Sequence, residues 1–484
     1  MRIVHLSTTD NRGGAARSAS RLHRGLRDAG VESSMLVKHK FSDDDHVTEV
    51  SAEKCGSKGE ACHRWESIEK LFIQDHRTGL SNTHFSLPAQ GYDLSRHPLV
   101  KRADIIHLHW VSGLLCPPSV AALQHLGKPL VWTLHDQRPF TGGCHFSAGC
   151  RQFEIDCTKC PQLSRDRFGL TAAALADSID LIDARAITVV SPSRWLADCA
   201  RRSTLFRNSR TEVIPGGVDT NVFRPIGKDS ACEAWKLDPC VTYFLFGAFD
   251  WTEKRKGFAE LTLALEECMR DGVFSQLVKD GQVAFLCFGQ ASTEIEALGL
   301  PVKFLGRIDS DDHMAAVYSA AAAVLLPSLE DNLPNILLEA MCCGTTVVAH
   351  RIGGVPDVVE HDVTGLLVPA GNARQFGAAI RILANDPRQR EVLSANCRRM
   401  IPPLYSLPVQ ARRHLDLYGE LMNGQNPSTL PQVDSGVAPS PLLSGGPRFL
   451  KILPKLEKEV RCHDRRQFFR RWRKKLLWNS SSEA

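Results

Sequence analysis

The sequence predicts an α/β protein with two doubly wound domains, and three features of the chain indicate this. Short apolar segments of strand length alternate with helix-length segments, a pattern typical of parallel sheets. The alternation begins at the first residues and starts again after Pro225. The 484 residues equal about three typical domain lengths of roughly 150 residues, which allows two domains and additional segments. We therefore expect two Rossmann-like domains that face each other across a cleft, at residues 1–225 and 226–403.

The predicted first domain opens with a strand, a glycine-containing loop and a helix. Residues 3–6 form the strand, residues 10–14 form the loop, and the helix that follows carries apolar residues at helical spacing. Gly30 ends this helix and a second strand follows, which completes a βαβ unit. A helix at residues 404–424 is expected to pack back on this domain. Further strands are predicted at residues 105–108, 130–134 and 186–190, with a helix at 170–182.

The predicted second domain repeats this alternation. Its helices are expected at residues 258–269, 311–320 and 335–343. Its strands are expected at residues 243–246, 283–288, 302–305, 324–326 and 346–348.

The composition is typical of a soluble globular protein, with 43% hydrophobic and 23% charged residues. The amino terminus lacks the apolar stretch and cleavage site of a signal peptide. The longest apolar stretch, at residues 314–327, is shorter than the roughly 18 residues that span a bilayer. We therefore expect a cytoplasmic protein, in which the 16 cysteines are reduced thiols or metal ligands rather than a disulfide framework.

The basic charge of the chain is concentrated at its carboxyl terminus. Residues 425–447 are rich in Pro, Ser and Gly and predict a flexible linker before a tail at residues 448–484. From Lys455 the tail can form a helix with Phe468, Trp472 and Leu476 on one face and basic residues around them. We expect this tail to dock on an anionic membrane surface, at the inner face of the membrane. A solvated tail and a polyanion-binding arm are the alternatives, and the folded domains are not expected to bind nucleic acid.

Polar residues follow a predicted strand and open a helix at residues 327–344. In doubly wound folds ligands bind at this edge of the sheet. Backbone amides at Leu333 and Asn335 would face a bound group at the helix amino terminus, where negative charge is favoured. Glu339, further along the helix, could accept hydrogen bonds from vicinal ribose hydroxyls. The alternative is an ordinary capped helix with an exposed glutamate.

Seven residues separate Asp331 from Glu339, and Ala-Met-Cys-Cys-Gly-Thr-Thr-Val-Val-Ala continues from residue 340. In these residues the chain resembles the family 4 retaining glycosyltransferases of the GT-B fold. Their signature is a Glu, seven residues and a second Glu, then Ala-Met-Ala-Cys-Gly and Pro-Val-Val-Ala. The resemblance implies that Glu339 holds the nucleotide ribose and that the first carboxylate contacts the donor sugar. Because Asp331 replaces the usual Glu and Glu330 precedes it, either residue can meet the sugar.

Basic residues in two further loops match motifs of the same family. The resemblance implies that Lys256, followed by Gly257, binds the donor diphosphate and that Arg255 replaces an arginine that many members carry earlier in this loop. Arg307 and Ile308 correspond to the loop whose backbone reads the nucleobase. The alternative for these residues is a solvated loop.

Two features of the first domain fit the same resemblance. Gly13 and Gly14 follow the first strand, where the family has a loop over the donor phosphates and the acceptor. His135 ends another strand, at the edge of the sheet where ligands bind, and the family has a functional histidine nearby. We expect Lys256, Asp331 and His135 to act in catalysis.

The segment around Cys144, Cys150, Cys157 and Cys160 is unusual. Five, six and two residues separate these cysteines, and four thiolates can form a tetrahedral zinc site. Buried free thiols and disulfides are the alternatives. The segment resembles a subset of the family that acts in exopolysaccharide synthesis and includes colanic-acid-type transferases.

The resemblance implies transfer of a hexose-type unit from a nucleoside diphosphate sugar to a hydroxyl acceptor, with retention of the anomeric configuration. We expect a lipid-linked or glycan acceptor, a role in polysaccharide or glycolipid biosynthesis, and no cofactor required for catalysis beyond a structural zinc. A nucleotide-sugar epimerase of the same fold and a non-catalytic scaffold at a membrane are the alternatives.

Overall fold

The computed structural model describes residues 1–50, 58–248, 252–289, 299–424 and 442–479. Within these ranges, side chains at 58–64, 248, 442–444 and 464–479 are not described.

The first domain is built on a seven-stranded sheet in which all neighbouring strands are parallel. Its strands are β1 (Arg2–Thr9), β2 (Glu32–His39), β3 (Val47–Glu49), β5 (Ile105–Leu108), β6 (Leu130–Thr133), β7 (Ile187–Ser191) and β8 (Arg210–Val213). Their order is β3-β2-β1-β5-β6-β7-β8, so the direction of winding reverses between β1 and β5. The central strands are buried along their length because helices cover both faces of the sheet.

The helices of the first domain include one that positions the predicted glycine loop. Helix α1 begins directly after Gly13, whose φ of 93° lies in a region that glycine adopts without strain. Ala16, Ala19, Leu22 and Leu26 bury one face of this helix against the sheet. The helices are α1 (Gly14–Asp28), α2 (Lys58–Phe72), α3 (Pro98–Arg102), α4 (Pro117–Gln124), α5 (Leu170–Leu181) and α6 (Arg194–Arg202).

The second domain has a six-stranded parallel sheet of the same design. Its strands are β9 (Thr242–Ala248), β10 (Val283–Gly289), β11 (Val302–Gly306), β12 (Ala323–Leu326), β13 (Thr346–His350) and β14 (Gly365–Val368). Their order is β11-β10-β9-β12-β13-β14, so the direction of winding again reverses, here between β9 and β12. Its helices are α7 (Lys228–Ala234), α8 (Phe258–Met269), α9 (Gly272–Lys279), α10 (Asp311–Ala320), α11 (Asn335–Cys342), α12 (Ala373–Asn385) and α13 (Pro387–Met400). The prediction of two Rossmann-like α/β domains is thus confirmed.

After the second domain the chain returns to the first. The short helix α14 (Pro402–Tyr405) leads into α15 (Leu407–Asn423), which packs against α1. Tyr418 of α15 is fully buried, and its hydroxyl lies 2.6 Å from Nδ1 of His107 on β5. The two domains are therefore joined by a second crossing of the chain.

The carboxyl-terminal segment differs from the prediction in two ways. The strand β15 (Leu442–Ser444) pairs antiparallel with β4 (Gln90–Tyr92), and helix α16 (Pro447–Asn479) begins before Lys455. The expected linker 425–447 therefore extends too far, because residues 442–444 form a strand. The backbone groups of this strand pair with those of β4. The remainder of that expected linker, residues 425–441, lies outside the described residues.

The first half of α16 belongs to the first domain and is not a free tail, which corrects the expected boundary at residue 448. Phe449, Leu456 and Val460 are buried in a cluster with Ile68 and Phe72 of α2. The backbone amides of Arg448 and Phe449 each donate to the Asp177 carboxylate at 2.9 Å, which satisfies the amino terminus of α16.

The second half of α16 carries the predicted membrane-docking stripe. The side chains of Phe468, Trp472 and Leu476 lie outside the described part of the chain, so this prediction stays open. None of the described helices combines the length and the apolar character that crossing a bilayer requires.

Candidate active site

The carboxyl edges of the two sheets meet across the domain boundary. The Asn335 side-chain amide donates to the Gly14 carbonyl at 3.1 Å, which joins the start of α11 to the glycine loop. Asn332 accepts a hydrogen bond from the Ser193 hydroxyl at 2.5 Å and donates to the His135 carbonyl at 3.2 Å. These contacts gather the loops that follow β1, β6, β7 and β12 into one cleft, the position at which doubly wound folds bind ligands.

Glu339 lies on α11 with only 3% of its surface exposed. The Tyr318 hydroxyl donates to its Oε2 at 2.9 Å, and burial together with this carboxylate raises the pKa of Tyr318 well above its usual value. Arg21 of α1 reaches across the cleft and places Nη2 2.7 Å from Glu339 Oε1. The expected alternative of an exposed glutamate is therefore wrong.

Sequence reasoning missed Arg21, which is 5% exposed. Its Nη2 and Glu339 Oε1 are both buried and form an ion pair with each other. Arg21 therefore contributes a first-domain cation to the site around Glu339. Arg17, one turn earlier on the same face of α1, lies 3.5 Å from Asp311. The signal that could have revealed Arg21 is this pair of arginines at helical spacing directly after the glycine loop.

Lys256 and Asp331 form a second charged pair in the cleft. The Lys256 Nζ lies 2.7 Å from Asp331 Oδ2, and Arg255 Nη1 lies 3.3 Å from the same oxygen. Burial opposes ionisation of Asp331, but Lys256 and Arg255 outweigh it and lower the pKa of the carboxyl below its usual value. Asp331 is therefore held as a carboxylate between two cations.

The backbone after Lys256 explains why glycine follows it. Gly257 has a φ of 70°, and a Cβ added there would lie 1.8 Å from the Pro327 carbonyl oxygen. Only glycine allows the loop after β9 to approach the end of β12 this closely. The close approach brings Lys256 to Asp331.

Glu330 and Asp331 point to different partners. Glu330 Oε2 accepts from the Ala148 backbone amide at 2.9 Å, and its other oxygen lies 3.4 Å from the Ser147 hydroxyl. Burial raises the pKa of Glu330. Glu330 therefore binds the first domain, while Asp331 faces the basic loop. Arg255 also stacks over the Phe146 ring, 4.1 Å from its centre.

His135 lies on the first-domain side of the cleft. Burial lowers its pKa to about 4, so the imidazole is neutral near pH 7. It lines a cavity of about 30 Å³ together with Trp110, Asp136 and Arg138. Asp136 Oδ2 lies 2.6 Å from His145 Nδ1 and accepts from Trp110 Nε1 at 2.9 Å. This cavity combines aromatic, acidic and basic groups at the carboxyl edge of the first sheet.

Buried histidines continue from His135 into the core. Among the described residues, His5, His107 and His109 form the one group with three candidate metal-ligand atoms within 4.8 Å of one another. His5 Nδ1 and His109 Nε2 are 2.9 Å apart, while His107 is bonded through both nitrogens, to Tyr418 and to Thr133. Because His107 has no nitrogen left for a metal, this group is best explained as a hydrogen-bonded network.

The remaining predicted binding residues are less enclosed. Arg307 lies 2.7 Å from Asp309 and its side chain is 60% exposed, whereas Ile308 packs against the core of the second domain. Leu333 is partly buried at the turn before Pro334, which caps the amino terminus of α11. These contacts leave the Arg307 side chain at the surface.

The four predicted metal ligands line a single cavity of about 20 Å³, and all are free thiols. Burial raises the pKa of Cys157 to about 12 and that of Cys144 well above its usual value. The alternative of disulfides is thus not the state in the structure.

Comparisons with known proteins agree with this architecture. Residues 12–222 match the profile described as "Glycosyltransferase Family 4", and residues 243–386 match "Glycosyl transferases group 1". A protein of Kribbella flavida named D-inositol 3-phosphate glycosyltransferase is 41% identical over 342 residues, which cover 65% of this chain and 72% of the relative. For a protein of the same name from Pseudarthrobacter chlorophenolicus, the identity is 26% over 301 residues, and the match spans 60% of this chain and 64% of the relative.

Solved structures show the same fold at low sequence identity. Anabaena Alr3699/HepE in complex with UDP and glucose has a TM-score of 0.59 and 18% identity, covering 87% of this chain and 99% of its own. Sucrose-phosphate synthase from Thermosynechococcus elongatus has a TM-score of 0.57 and 20% identity, covering 88% and 100%. Together with the two profiles and the Kribbella flavida relative, the two-domain GT-B architecture leads to one conclusion: this chain belongs to glycosyltransferase family 4.

Proposed function

We propose that this glycosyltransferase moves a hexose-type unit from a nucleoside diphosphate sugar to a hydroxyl acceptor, with retention of configuration. The observation that carries the proposal is the pair of buried carboxylates, Asp331 and Glu339, each held beside a cation at the cleft between the domains. Such groups bind a donor that has hydroxyls at one end and a diphosphate between the nucleoside and the sugar.

Each end of the site suits one part of the donor. Arg21 and Tyr318 hold the Glu339 carboxylate in the cleft, where its oxygens can accept hydrogen bonds from ribose hydroxyls. Lys256 and the amino terminus of α11 suit the diphosphate, because both favour negative charge. Asp331, beside Lys256, is the carboxylate we assign to the donor sugar. The Anabaena neighbour was solved with UDP and with UDP-glucose, which supports a uridine nucleotide as the first donor to test.

The chemistry follows from these positions. As the bond from the anomeric carbon to the diphosphate breaks, negative charge grows on the leaving oxygen, and Lys256 stabilises it there. The acceptor hydroxyl attacks from the same face and its proton passes to the leaving diphosphate, which gives retention. We place the acceptor against the first-domain cavity, where neutral His135 can hydrogen bond to a sugar hydroxyl.

The test is a screen of nucleotide sugars for thermal stabilisation of the full chain, followed by product analysis. A donor that binds the folded state raises the melting temperature. With the best donor, we expect release of nucleoside diphosphate and a product whose anomeric configuration, measured by NMR, equals that of the donor. Inversion contradicts retention. Conversion of the donor to an epimer identifies the alternative enzyme, and binding without turnover identifies a scaffold.

We further propose that the enzyme is a peripheral membrane protein of polysaccharide or glycolipid biosynthesis, in the colanic-acid-like subset, with a lipid-linked acceptor. Residues 448–463 attach α16 to the first domain, and the sequence beyond them carries Arg470, Arg471, Arg473, Lys474 and Lys475. Each basic residue near an anionic leaflet contributes about 1 kcal/mol of binding free energy. This basic segment would bring the acceptor domain to the membrane.

Sedimentation with anionic vesicles tests this placement. A chain that ends at His463 keeps the packed half of α16 and is therefore a better comparison than one that ends before it. We expect the full chain to sediment with the vesicles in a salt-sensitive manner and the shortened chain to stay in solution. Equal sedimentation of the two chains contradicts the proposal.

A further inference from the structure

We propose that Cys144, Cys150, Cys157 and Cys160 bind one structural zinc ion. All four thiols line the same cavity of about 20 Å³, which is large enough for one small ion or a water molecule. The other lining groups include the aromatic rings of Phe85 and Phe153. Four soft thiolates without an open position are the donor set of structural zinc sites.

The backbone contacts one of these sulfurs directly. The Gln152 amide donates to Cys150 Sγ at 3.4 Å. A hydrogen bond from the surroundings fixes the direction of a metal ligand. Cys150 therefore already has an outer contact of the kind that orients a ligand toward a metal.

The local conformation gives a second indication. Cys157 has a φ of 57°, a left-handed conformation that costs a non-glycine residue about 1 kcal/mol or more. Such a conformation persists where the surroundings determine it. Only a single 3₁₀ turn, Gln152–Glu154, forms between Cys144 and Cys160. A segment with so little regular structure needs another source of order, which a metal ion would supply.

The sulfurs stand farther apart than in a closed tetrahedral site, since no three of them lie within 4.8 Å of one another. A bound ion would draw them toward the cavity that they share, through rotation of the cysteine side chains. We expect this closure to fix the loop between Cys144 and Cys150. That loop carries Phe146, which stacks under Arg255, and Ala148, which binds Glu330. The zinc would therefore hold the first domain against the donor loops of the second.

Elemental analysis of the full chain, produced without a metal-binding tag, tests the proposal. We expect about one zinc per chain, and loss of that zinc in the double variant Cys157→Ser/Cys160→Ser. The matched control is Cys240→Ser, because Cys240 is exposed and lies outside the cavity. Metal content is measured without a donor or acceptor, so failure here leaves the glycosyltransferase proposal untouched.

A second measurement avoids dependence on the folding of the double variant. In the chain without substitutions, chemical modification of the thiols should release the zinc as four cysteines react. Replacement of the zinc by cobalt should give the visible absorption of a tetrahedral thiolate site. Zinc retained by the double variant would overturn the proposal. So would two disulfides found by mass spectrometry, or a folded and metal-free chain that binds no added zinc.

Discussion

Arg21 of the first domain and Glu339 of the second form a buried ion pair across the cleft, with Nη2 and Oε1 2.7 Å apart. Tyr318 holds the other carboxylate oxygen, so the direction of Glu339 is set by both domains. Breaking a buried pair by removing one partner leaves an uncompensated charge, which is costly. The binding site that we assign to the ribose is therefore complete only when the two domains are in contact.

The first prediction concerns this pair. Arg21→Gln should weaken donor binding by about tenfold, equal to about 1.4 kcal/mol, because Glu339 loses the cation that holds its carboxylate in the cleft. Calorimetric titration with the donor from the screen measures the effect. Arg17→Gln is the control, since Arg17 faces Asp311 at 3.5 Å with both side chains more than a third exposed. Equal effects in the two variants, or tighter binding in Arg21→Gln, would refute the positioning role.

The second prediction separates Lys256 from its neighbour. Lys256→Ala should lower kcat by about 10²- to 10³-fold, the usual effect of removing a group that stabilises charge in the transition state. Lys254→Ala should retain most of the activity, because the Lys254 ammonium bonds to the Gly79 carbonyl at 2.6 Å rather than to Asp331. Steady-state kinetics decide the matter. A change in KM alone for Lys256→Ala would contradict a role of this lysine in bond cleavage.

The third prediction concerns the close approach of the loop after Lys256. Gly257→Ala should lower the free energy of unfolding by about 3 kcal/mol or more, because the added methyl group meets the Pro327 carbonyl and the residue has a positive φ. Gly281→Ala has the same φ of 70° and open space around it, so only the cost of about 1–2 kcal/mol for the backbone is expected. Urea unfolding of both variants compares the two costs. Similar losses would mean that the contact with Pro327 is unimportant.

The fourth prediction concerns the buried histidines. Burial lowers the pKa of His414 from 6.5 to about 4, so the folded chain binds fewer protons than the unfolded chain between these values. Stability should therefore fall as the pH drops from about 6.5 to about 4, with a contribution of up to about 1.4 kcal/mol per pH unit from His414. His414→Gln should reduce this slope in urea unfolding measured at several pH values. A slope unchanged by the substitution would contradict the assignment.

The sequence was sufficient to predict the two sheets and the positions of the local motifs. Apolar runs marked β9, β10 and β12, and the signature around Glu339 marked the start of α11, because these signals are contained in short stretches of chain. The return of residues 404–424 to the first domain was predicted, but the individual residue partners in distant segments were not. Arg21 is 318 residues from Glu339, and β15 pairs with β4 across an even longer separation. Such partners become visible only when the fold brings the segments together.

Glu330 and Asp331 illustrate the same limit at the scale of one residue. The sequence left open which carboxylate meets the donor sugar, since the two are adjacent. The fold gives Glu330 a backbone partner in the first domain and gives Asp331 the two cations of the loop after β9. The two side chains differ in the direction in which they point. Hydrophobic periodicity does not encode this direction in a loop.

The central claim is that Glu339 binds the ribose of a donor nucleotide, and calorimetric titration of UDP, GDP and ADP tests it most directly. At least one of these nucleotides should bind the unmodified chain. Glu339→Ala should weaken that binding by about 1.5–3 kcal/mol, the range for hydrogen bonds to a charged group, while Glu360→Ala at an exposed position should not. Equal affinity of the unmodified chain and Glu339→Ala, or no binding of any of the three nucleotides, would contradict the account.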